Sequence, residues 1–564
     1  MPRKKTLSLV LAAVMSFVLV LAGCSSDKAG DPAAQASPGS SGSSQKDPNL
    51  NPVGTYPIVK EKVTLKVLAP QLPDVIDFST NGMTKWLEEK TNVHLEWQTY
   101  QANQPEQLNI ILASGDFPDL FIGTSLSAVN EQKYGVEQRL FLPLQDYIEN
   151  DTVYLKKLLG ERPDLKGYLT ATDGNIYGLP TVNECYHCMY GNKYWINQSW
   201  LDKLGLKTPT TTDELFDVLK AFKERDPNGN GKPDEVPLAG ASSGGWHHIV
   251  DSFLTNAFFL SNDEDVLNMV LKDGKIQSNV VTPEYRDSLM YLHKLYENGL
   301  LYNASFTQSV DQLKQLANSE EEVLGAFPAG AIVNIIDGAG NPERYKHYTA
   351  LAPLKGPGGV QYSTYYSNFP YAAGSFIISA KSKHPEVAIR VADLFFNPDK
   401  EYGEGTLWRK AEPGEVGITG LPARTKRLKP YSNEPQNDTW SYIGEPFQTS
   451  EARLSDAVDP SIDPYSPEGL EKLLMRETKD KYEPYAPKDV SLMPSLKLLS
   501  EEMDVLSTLR VELENYAKES KVKFIMGNLN FESDWDAYVS GMDRIGLGKA
   551  IGIYQTAYER QFKS

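Results

Sequence analysis

Hydrophobic and polar positions alternate in an ordered way where the folded part of the chain begins. Val63 to Leu68 alternates with a period of two, which predicts a half-buried strand. Met83 to Lys90 has a helical composition, Val93 to Trp97 reads as a second strand, and Gln104 to Ser114 as a second helix. This strand–helix order predicts an α/β fold with a parallel sheet and right-handed crossovers.

Small polar residues follow the next predicted strand. In open parallel sheets, ligands bind beyond the carboxyl ends of the strands. Gly123, Thr124 and Ser125 lie just beyond the apolar run that ends at Ile122. We therefore expect Thr124 and Ser125 to lie at a ligand site.

Helical periodicity dominates the later part of the chain. Thr211 to Glu214 has the pattern of a capping box, followed by apolar residues at helical spacing up to Phe222. Further helices are predicted over Pro283 to Gly299 and Pro385 to Phe396, with a buried strand over Tyr371 to Ala380. Ser495 to Ile525 predicts a long helix whose apolar stripe packs against the protein's own core.

The stretch from Asp226 to Glu235 spaces its oxygen-bearing side chains as calcium loops do. Counted from Asp226, oxygens occupy positions 1, 3, 5 and 9, and a glycine occupies position 6. Position 12 is Pro237, so the stretch is not an EF-hand, and Glu235 at position 10 is the expected substitute. An ordinary Asn-Gly turn is the alternative interpretation. The predicted ligands of a structural calcium ion are Asp226, Asn228, Asn230, Lys232 through its carbonyl, Asp234 and Glu235.

The N-terminus resembles a bacterial lipoprotein signal. Three basic residues precede an apolar segment from Leu7 to Ala22, and Leu21-Ala22-Gly23-Cys24 has the pattern of a lipobox whose cysteine is diacylated. A transmembrane anchor is the alternative, but the segment is shorter than the roughly twenty residues that a bilayer requires. Residues 1–23 are thus the predicted signal peptide, and residues 24–60 a flexible linker anchored through Cys24.

Charge excludes one class of partner. Without the signal peptide, 53 basic residues face 74 acidic ones, a net charge of −21. Nucleic acid and anionic lipid surfaces would be repelled, so we expect contact with the membrane through the lipid anchor only. The remaining length exceeds what one hydrophobic core supports, which predicts at least two lobes.

Cys185 and Cys188 are the cysteines that remain besides Cys24. Outside the cytoplasm such a pair most simply forms a disulfide. Redox-active thiols would need a following helix to lower a thiol pKa, and zinc would need four ligands, of which only His187 is near. The disulfide is the favoured interpretation, with the other two open.

Motifs for catalysis are scarce. Gly240 to Gly244 matches Gly-x-Ser-x-Gly, but a nucleophile elbow also needs a strand-to-helix turn and later acid and histidine partners. The chain has no His-Glu-x-x-His, P-loop or Rossmann glycine motif. Paired glycosidase carboxylates leave no local pattern. We predict no catalytic residue and no enzymatic activity.

Several short motifs occur in a fixed order along the chain. They are Ser114–Phe121, Leu142–Tyr147, Asp173–Pro180, Trp195–Asn197, Trp200–Leu206, Asp534–Tyr538 and Tyr554–Arg560. In this order they resemble the extracellular solute-binding proteins of carbohydrate ABC importers, in the large lipoprotein branch of family 1. The calcium loop is similar to that of the alginate-oligosaccharide-binding members.

The resemblance implies a two-lobed periplasmic-binding-protein-like fold with a hinge and an interlobe ligand cleft. Lobe 1 would comprise residues 61–188 and about 372–410, and lobe 2 residues 189–371 and about 411–564, including the calcium loop. The chain would cross between lobes at Cys188 to Trp195 and near Tyr371. It also implies a monomer that works with the membrane subunits of an ABC permease.

Sugar sites combine aromatic planes with hydrogen-bonding groups. Aromatic residues in glycine-rich or polar loops and polar residues near the presumed hinge are the candidates, although each aromatic residue could equally be structural. The predicted ligand-binding residues are Thr124, Ser125, Glu184, Tyr186, Trp246, Tyr365, Tyr366, Trp408 and Trp440.

The predicted function is capture of a sugar or oligosaccharide by lobe closure, on the extracytoplasmic face of the cell membrane, for delivery to the permease. An oligopeptide-binding lipoprotein and an extracellular carbohydrate-active enzyme are the alternatives.

Overall fold

The structure is a computed structural model that describes residues 47–101, 105–115, 117–367, 371–403, 405, 407–428 and 434–563. The predicted signal peptide, the predicted lipidation site Cys24 and most of the linker lie outside the described residues. Within these ranges, every helix is too short or too polar to cross a membrane.

The strands are mostly short and fall into several small sheets. Their bounds are β1 (Val63–Gln71), β2 (Val93–Gln101), β3 (Leu120–Ile122), β4 (Pro180–Asn183), β5 (Tyr194–Asn197), β6 (Met269–Lys272), β7 (Lys275–Ser278), β8 (Ala326–Pro328), β9 (Tyr348–Leu351), β10 (Tyr371–Ala373), β11 (Phe376–Ile378), β12 (Trp408–Lys410), β13 (Thr425–Arg427), β14 (Phe447–Gln448) and β15 (Val490–Leu492).

The helices range from single turns to one of 26 residues. Their bounds are α1 (Gly82–Thr91), α2 (Pro105–Ser114), α3 (Ala128–Asn130), α4 (Gln145–Asp151), α5 (Tyr154–Glu161), α6 (Pro163–Leu169), α7 (Gln198–Leu204), α8 (Thr212–Glu224), α9 (Ser252–Thr255), α10 (Pro283–Glu297), α11 (Val310–Ala317), α12 (Pro342–Lys346), α13 (Pro385–Asp393), α14 (Ser450–Leu454), α15 (Leu470–Lys481), α16 (Ser500–Ile525), α17 (Trp535–Ile545) and α18 (Leu547–Phe562).

The predicted α/β fold is confirmed, beginning with a parallel sheet of order β11-β3-β1-β2. β1 pairs in parallel with β2 from Val63 opposite Val93, and with β3, while β11 is antiparallel to β3. The alternation in β1 reflects burial, because Val63, Leu65 and Val67 lie inside the core while the residues between them are exposed. The helices around this sheet complete a first hydrophobic core.

A second hydrophobic core forms around the antiparallel sheet β8-β5-β9. Trp195 and Trp200 are fully buried in it. The long helix α16 begins at Ser500, later than the predicted Ser495, and buries Leu506, Leu513 and Phe524 against α10, α17 and α18. The prediction that this helix packs on the protein's own core is correct.

Two elements differ from the sequence-based expectation. Tyr371 to Ala380 is not one strand, because Gly374 adopts a φ of +94° and divides it into β10 and β11, which belong to different sheets. At the start of α8, the Thr211 hydroxyl accepts the Glu214 amide at 3.1 Å, but Glu214 accepts from Thr210 and not from Thr211. The helix is capped, but not by the predicted reciprocal pair.

We define two bodies by these cores. The first body comprises residues 48–183 and 371–448, and the second comprises residues 194–366 and 465–563. Trp440, Ile443 and Phe447 are buried in the first core. We therefore propose that lobe 1 extends to about residue 448, further than the expected boundary near 410.

Candidate functional site between the two bodies

Three strands meet where the chain passes between the bodies. They form the sheet β10-β4-β14, in which Val182 lies opposite Tyr371 in the antiparallel direction and opposite Phe447 in the parallel direction. Each strand adjoins a crossing segment. These are residues 184–193 after β4, the segment that follows Tyr366 before β10, and residues 449–464 after β14, in which Asp456 and Val458 still pair with Thr425 and Val416 of the first body. This sheet ties together parts of the chain that are far apart in sequence.

The first crossing, residues 184–193, is held from inside by Lys193. This side chain is fully buried, and its Nζ donates to the carbonyls of His187 at 2.7 Å and Tyr190 at 2.5 Å. Burial lowers the pKa of Lys193 to about 7. A disulfide joins Cys185 to Cys188 in the same segment. The crossing is therefore a compact, cross-linked turn.

The disulfide bears on the zinc alternative. Among the described residues, only Cys185, His187 and Cys188 bring three histidine, cysteine or carboxylate ligand atoms within 4.8 Å of one another. Zinc binds cysteine as the thiolate, and here both sulfurs are bonded to each other. His187 instead lies 3.2 Å from Glu471 Oε1.

Tyrosine rings line the crossings. Tyr186 and Tyr365 flank Tyr190, with ring centroids 6.0 and 5.2 Å from it. Tyr365 is 38% exposed, so its ring is accessible to a ligand from solvent. Tyr168 and Tyr371 form a further pair at 5.9 Å on the side of the first body. We call these five residues the hinge aromatic surface.

An ion pair lies beside this surface. Arg162, between α5 and α6, contacts Glu184 Oε1 at 2.7 Å and Asp164 Oδ2 at 3.2 Å. Its guanidinium also donates to the Tyr371 hydroxyl and lies 5.5 Å from that ring. The second oxygen of Glu184 accepts the Ser450 amide at 3.0 Å, so Glu184 links two crossings. Arg162 and Glu184 thus offer polar groups near the exposed ring of Tyr365 and the half-buried ring of Tyr371.

The bodies also meet through Lys497. Its Nζ lies 2.6 Å from Glu131 Oε2 in the first body and 5.7 Å from the Tyr168 ring. Nearby, Ser500 donates to Glu137. The side chains of Lys497 and Glu131 are only 16% and 4% exposed, and the other oxygen of Glu131 is buried without a hydrogen-bond partner. Burial raises the pKa of Glu131, although the charge of Lys497 opposes this.

Thr124 and Ser125 lie at the carboxyl end of β3, as predicted. Thr124 is buried, and its hydroxyl has no hydrogen-bond partner, whereas Ser125 is exposed with a φ of +47°. The next residue, Leu126, donates its amide to Ala373 in β10. These residues therefore border the first-body end of the crossing sheet.

Trp246 and Tyr366 approach the first crossing from the second body. Trp246 is half-buried, with its ring 6.4 Å from His187. Tyr366 is 3% exposed and donates its hydroxyl to Asp263, which also contacts His247 Nδ1 at 2.9 Å. Tyr366 is thus packed behind the first crossing, whereas the Trp246 side chain is partly exposed.

Trp408 and Trp440 lie elsewhere. Trp408 is 2% exposed, and its ring lies 3.3 Å from the Lys400 ammonium. Trp440 is fully buried, donates to Thr84 Oγ1 at 2.8 Å and stacks on Phe395. Both are packed in the first core, and we leave them out of the candidate site.

Several candidate site residues were not predicted from the sequence. Arg162, Tyr168 and Glu131 come from the first body, and Lys497 from the far end of the chain. None belongs to a local motif. Tyr186 was predicted as a site residue, but its partner was not. The Tyr186 hydroxyl donates to Glu483 Oε2 at 2.8 Å, and no local motif indicates Glu483.

The Gly-x-Ser-x-Gly motif does not form a nucleophile elbow. The segment is a loop, the Ser242 hydroxyl donates to the Gln308 carbonyl at 3.1 Å, and no helix follows directly. Ser242 borders a cavity of about 210 Å³ within the second body, lined by aromatic side chains such as Phe259 together with polar ones such as Asp251 and Lys521. None of its lining residues belongs to the hinge aromatic surface.

The loop from Asp226 to Glu235 is wound around its first residue. The Asp226 carboxylate accepts the amides of Gly229, Asn230 and Gly231 at 3.0 to 3.1 Å. Asn228 and Asn230 donate their side-chain amides to Asp234. One oxygen of Glu235 is buried without a partner, and burial, followed by Asp226 and Asp234, raises the pKa of Glu235. Lys232 contacts Glu321 at 3.6 Å.

Comparisons with known proteins all indicate the same family. The model of the family "Bacterial extracellular solute-binding protein" matches residues 69–402. The fructooligosaccharide ABC transporter substrate-binding protein FusA of Streptococcus pneumoniae is 27% identical over 520 residues, 90% of this chain and 92% of its own. The polygalacturonan/rhamnogalacturonan-binding protein YtcQ of Bacillus subtilis is 26% identical over 492 residues, 84% of this chain and 88% of its own.

Solved structures agree. A FusA EF-hand mutant from S. pneumoniae, in complex with fructo-nystose, aligns with a TM-score of 0.66 and 25% identity, covering 88% of this chain and 99% of that one. The alginate-binding protein AlgQ2, without calcium ion, shares the fold, with a TM-score of 0.59 and 21% identity over 90% of this chain and 100% of that one. The predicted resemblance is confirmed: the chain belongs to the bacterial extracellular solute-binding proteins.

Proposed function

We propose that this chain captures an oligosaccharide between its two bodies and delivers it to an ABC permease, without chemical change to the sugar. The observation that carries the proposal is the hinge aromatic surface, which lies beside Arg162 and Glu184 where the three crossings converge. FusA and YtcQ, which are named for binding saccharides, align with more than four-fifths of this chain and support it.

The chemistry of the surface suits a sugar. Pyranose and furanose rings present C–H faces that pack on aromatic planes, and their hydroxyls need donors and acceptors. Tyr365 offers an exposed ring, and the Glu184 carboxylate close by can accept further hydrogen bonds besides those from Arg162 and Ser450. Hydrogen bonds to charged groups contribute about 1.5–3 kcal/mol each.

We further propose that the bodies move relative to each other about the crossings. Closure would bring Lys497 onto Glu131, as in this structure, and opening would separate them. A ligand that contacts both bodies would favour the closed form by its extra contacts there.

The proposed place of action is the extracytoplasmic face of the membrane. The family is extracellular. The lipobox ending at Cys24 and the polar linker that follows support attachment through lipid, with the folded bodies free to meet the permease.

The test of this function is a thermal-shift and calorimetry screen of the chain from Cys24 onward. We expect at least one oligosaccharide to raise the melting temperature and to be recovered intact, because binding stabilises only the folded state. Tripeptides and amino acids serve as controls. A shift with peptides and none with saccharides, or release of shortened sugar products, would contradict the proposal.

The Lys497→Met variant tests closure. Removing the ammonium leaves Glu131 buried and unpaired in the closed form, so we expect oligosaccharide affinity to fall about tenfold, or about 1.4 kcal/mol. Adding Glu131→Gln should restore part of the loss. Lys314→Met, which removes an exposed pair with Asp311 in the second body, is the matched control. Equal affinities for Lys497→Met and the control would show that this contact does not contribute.

We propose that the loop from Asp226 to Glu235 holds calcium as a structural ion. The fit rests on the buried, unpartnered oxygen of Glu235 and on the nearby carboxylates of Asp226 and Asp234, which raise its pKa. Asn228, Asn230 and the carbonyl of Lys232 would supply the remaining protein oxygens. The ion would fix the end of α8 to the segment that leads into Val236. The EF-hand named for FusA supports a cation loop in a relative.

Chelation should lower the melting temperature of the wild-type protein and leave that of Glu235→Gln nearly unchanged. At a calcium concentration of about 100 times Kd, the stabilisation is about 2.7 kcal/mol. Because the ion requires an ionised Glu235 whose pKa is raised, this stabilisation should shrink as pH falls through that pKa. Asp287→Asn, at an exposed position of α10, is the control.

Two results would contradict the calcium proposal. If chelation changes the melting of neither wild type nor variant, the loop binds no calcium. If chelation abolishes oligosaccharide binding without changing the melting temperature, the ion belongs to the ligand site and is not structural.

A further inference from the structure

We propose that the oligosaccharide bound at the hinge aromatic surface is uncharged, and that saccharides containing uronic acids are rejected. This inference rests on the proposed function and specifies its ligand. Relatives differ in the charge of the saccharide for which they are named. FusA is named for fructooligosaccharides, which are neutral, and YtcQ for polygalacturonan, which is anionic.

Among the described residues, the two basic side chains that lie against rings of the hinge aromatic surface, Arg162 and Lys497, are already engaged by carboxylates of the protein. Arg162 lies 2.7 Å from Glu184 and 3.2 Å from Asp164, and Lys497 lies 2.6 Å from Glu131. A guanidinium recognises a ligand carboxylate by presenting a free pair of N–H groups. The fork of Arg162 is directed at Glu184, Asp164 and Tyr371 instead.

Among the described residues, four carboxylates contact these tyrosines or their cations, against three cations. The carboxylates are those of Asp164, Glu184, Glu131 and Glu483, and the cations are Arg162, Lys497 and Lys193. Glu483 accepts the hydroxyl of Tyr186, and Glu137 accepts that of Ser500 near Lys497. Burial first, and then the charge of Glu483, raise the pKa of Tyr190 to about 12. The pKa of Tyr365 is raised by burial and by Glu184, with Arg162 acting against them. Burial is the larger cause of both shifts, and the nearby carboxylates act in the same direction.

Such a surface suits hydroxyl groups and opposes carboxylates. Ionised carboxylates are acceptors only, so they bind sugar hydroxyls well. A uronate placed among them meets like charges in a partly desolvated cleft, which costs several kcal/mol. The net charge of −21 without the signal peptide also disfavours the approach of an anionic ligand.

Calorimetry on the chain from Cys24 onward separates the two ligand classes. The neutral oligosaccharide that binds most tightly is compared with the same compound oxidised to the carboxylate at its primary hydroxyls, and with oligogalacturonides of equal length. We expect the anionic compounds to bind at least about 100-fold more weakly, because like charges are brought together.

The outcomes are distinct. An oligogalacturonide that binds as tightly as the best neutral compound overturns the inference and leaves the proposed function standing. If no saccharide of either class binds, the proposed function fails and the inference with it.

A charge variant tests the cause. In Glu184→Gln, the Arg162 guanidinium loses its nearest carboxylate, so we expect affinity for the oxidised oligosaccharide to rise about tenfold, the equivalent of about 1.4 kcal/mol. Glu343→Gln, which changes an exposed pair with Lys346, is the matched control for overall charge. Glu184 also accepts the Ser450 amide, so the substitution weakens a contact between two crossings. If Glu184→Gln has a lowered melting temperature, Glu483→Gln serves as a second variant. Anionic binding that improves in neither variant would overturn the electrostatic explanation.

Discussion

The pairing of β10, β4 and β14 is the constraint on which the rest of the structure depends. β4 ends the first stretch of the chain in the first body, and β10 returns the chain to that body. The segment after β14 pairs once more with the first body at Asp456 and Val458 before it leads to the second body. Because Val182 lies opposite both Tyr371 and Phe447, the crossings are fixed side by side. Two separate hydrophobic cores are thereby joined at one edge, and the side chains next to that edge face both bodies.

The polar groups at this junction are arranged to hold the crossings and to present a surface at the same time. Lys193 is buried beneath the first crossing, where it donates to two carbonyls, and Glu184 links Arg162 to the Ser450 amide. Burying such groups is costly, as the lowered pKa of Lys193 shows, and breaking one of the pairs leaves its partner unsatisfied. The proposed selectivity for neutral sugars follows from the same arrangement, since the cations are already occupied by the protein's own carboxylates.

Local sequence patterns predicted what depends on neighbouring residues. The alternation in β1, the capped helix α8 and the apolar stripe of α16 all follow from periodicity, and Glu184 and Tyr186 were found by their position next to a crossing. Trp408 and Trp440 lie in glycine-rich or polar segments and were predicted to be accessible, yet both are buried. Trp408 lies against Lys400 and Arg427, and Trp440 against Thr84 and Phe395. Arg162 and Lys497 are 335 positions apart and meet the same tyrosine pair only through the fold. No local pattern can indicate such a meeting.

Closure of the two bodies around a ligand is the central claim, and small-angle X-ray scattering tests it most directly. The radius of gyration of the monomeric chain is measured without ligand and at saturation with an oligosaccharide whose binding calorimetry has established. The account predicts a smaller radius with ligand, because the crossings allow the bodies to approach. An unchanged radius at full saturation would contradict it.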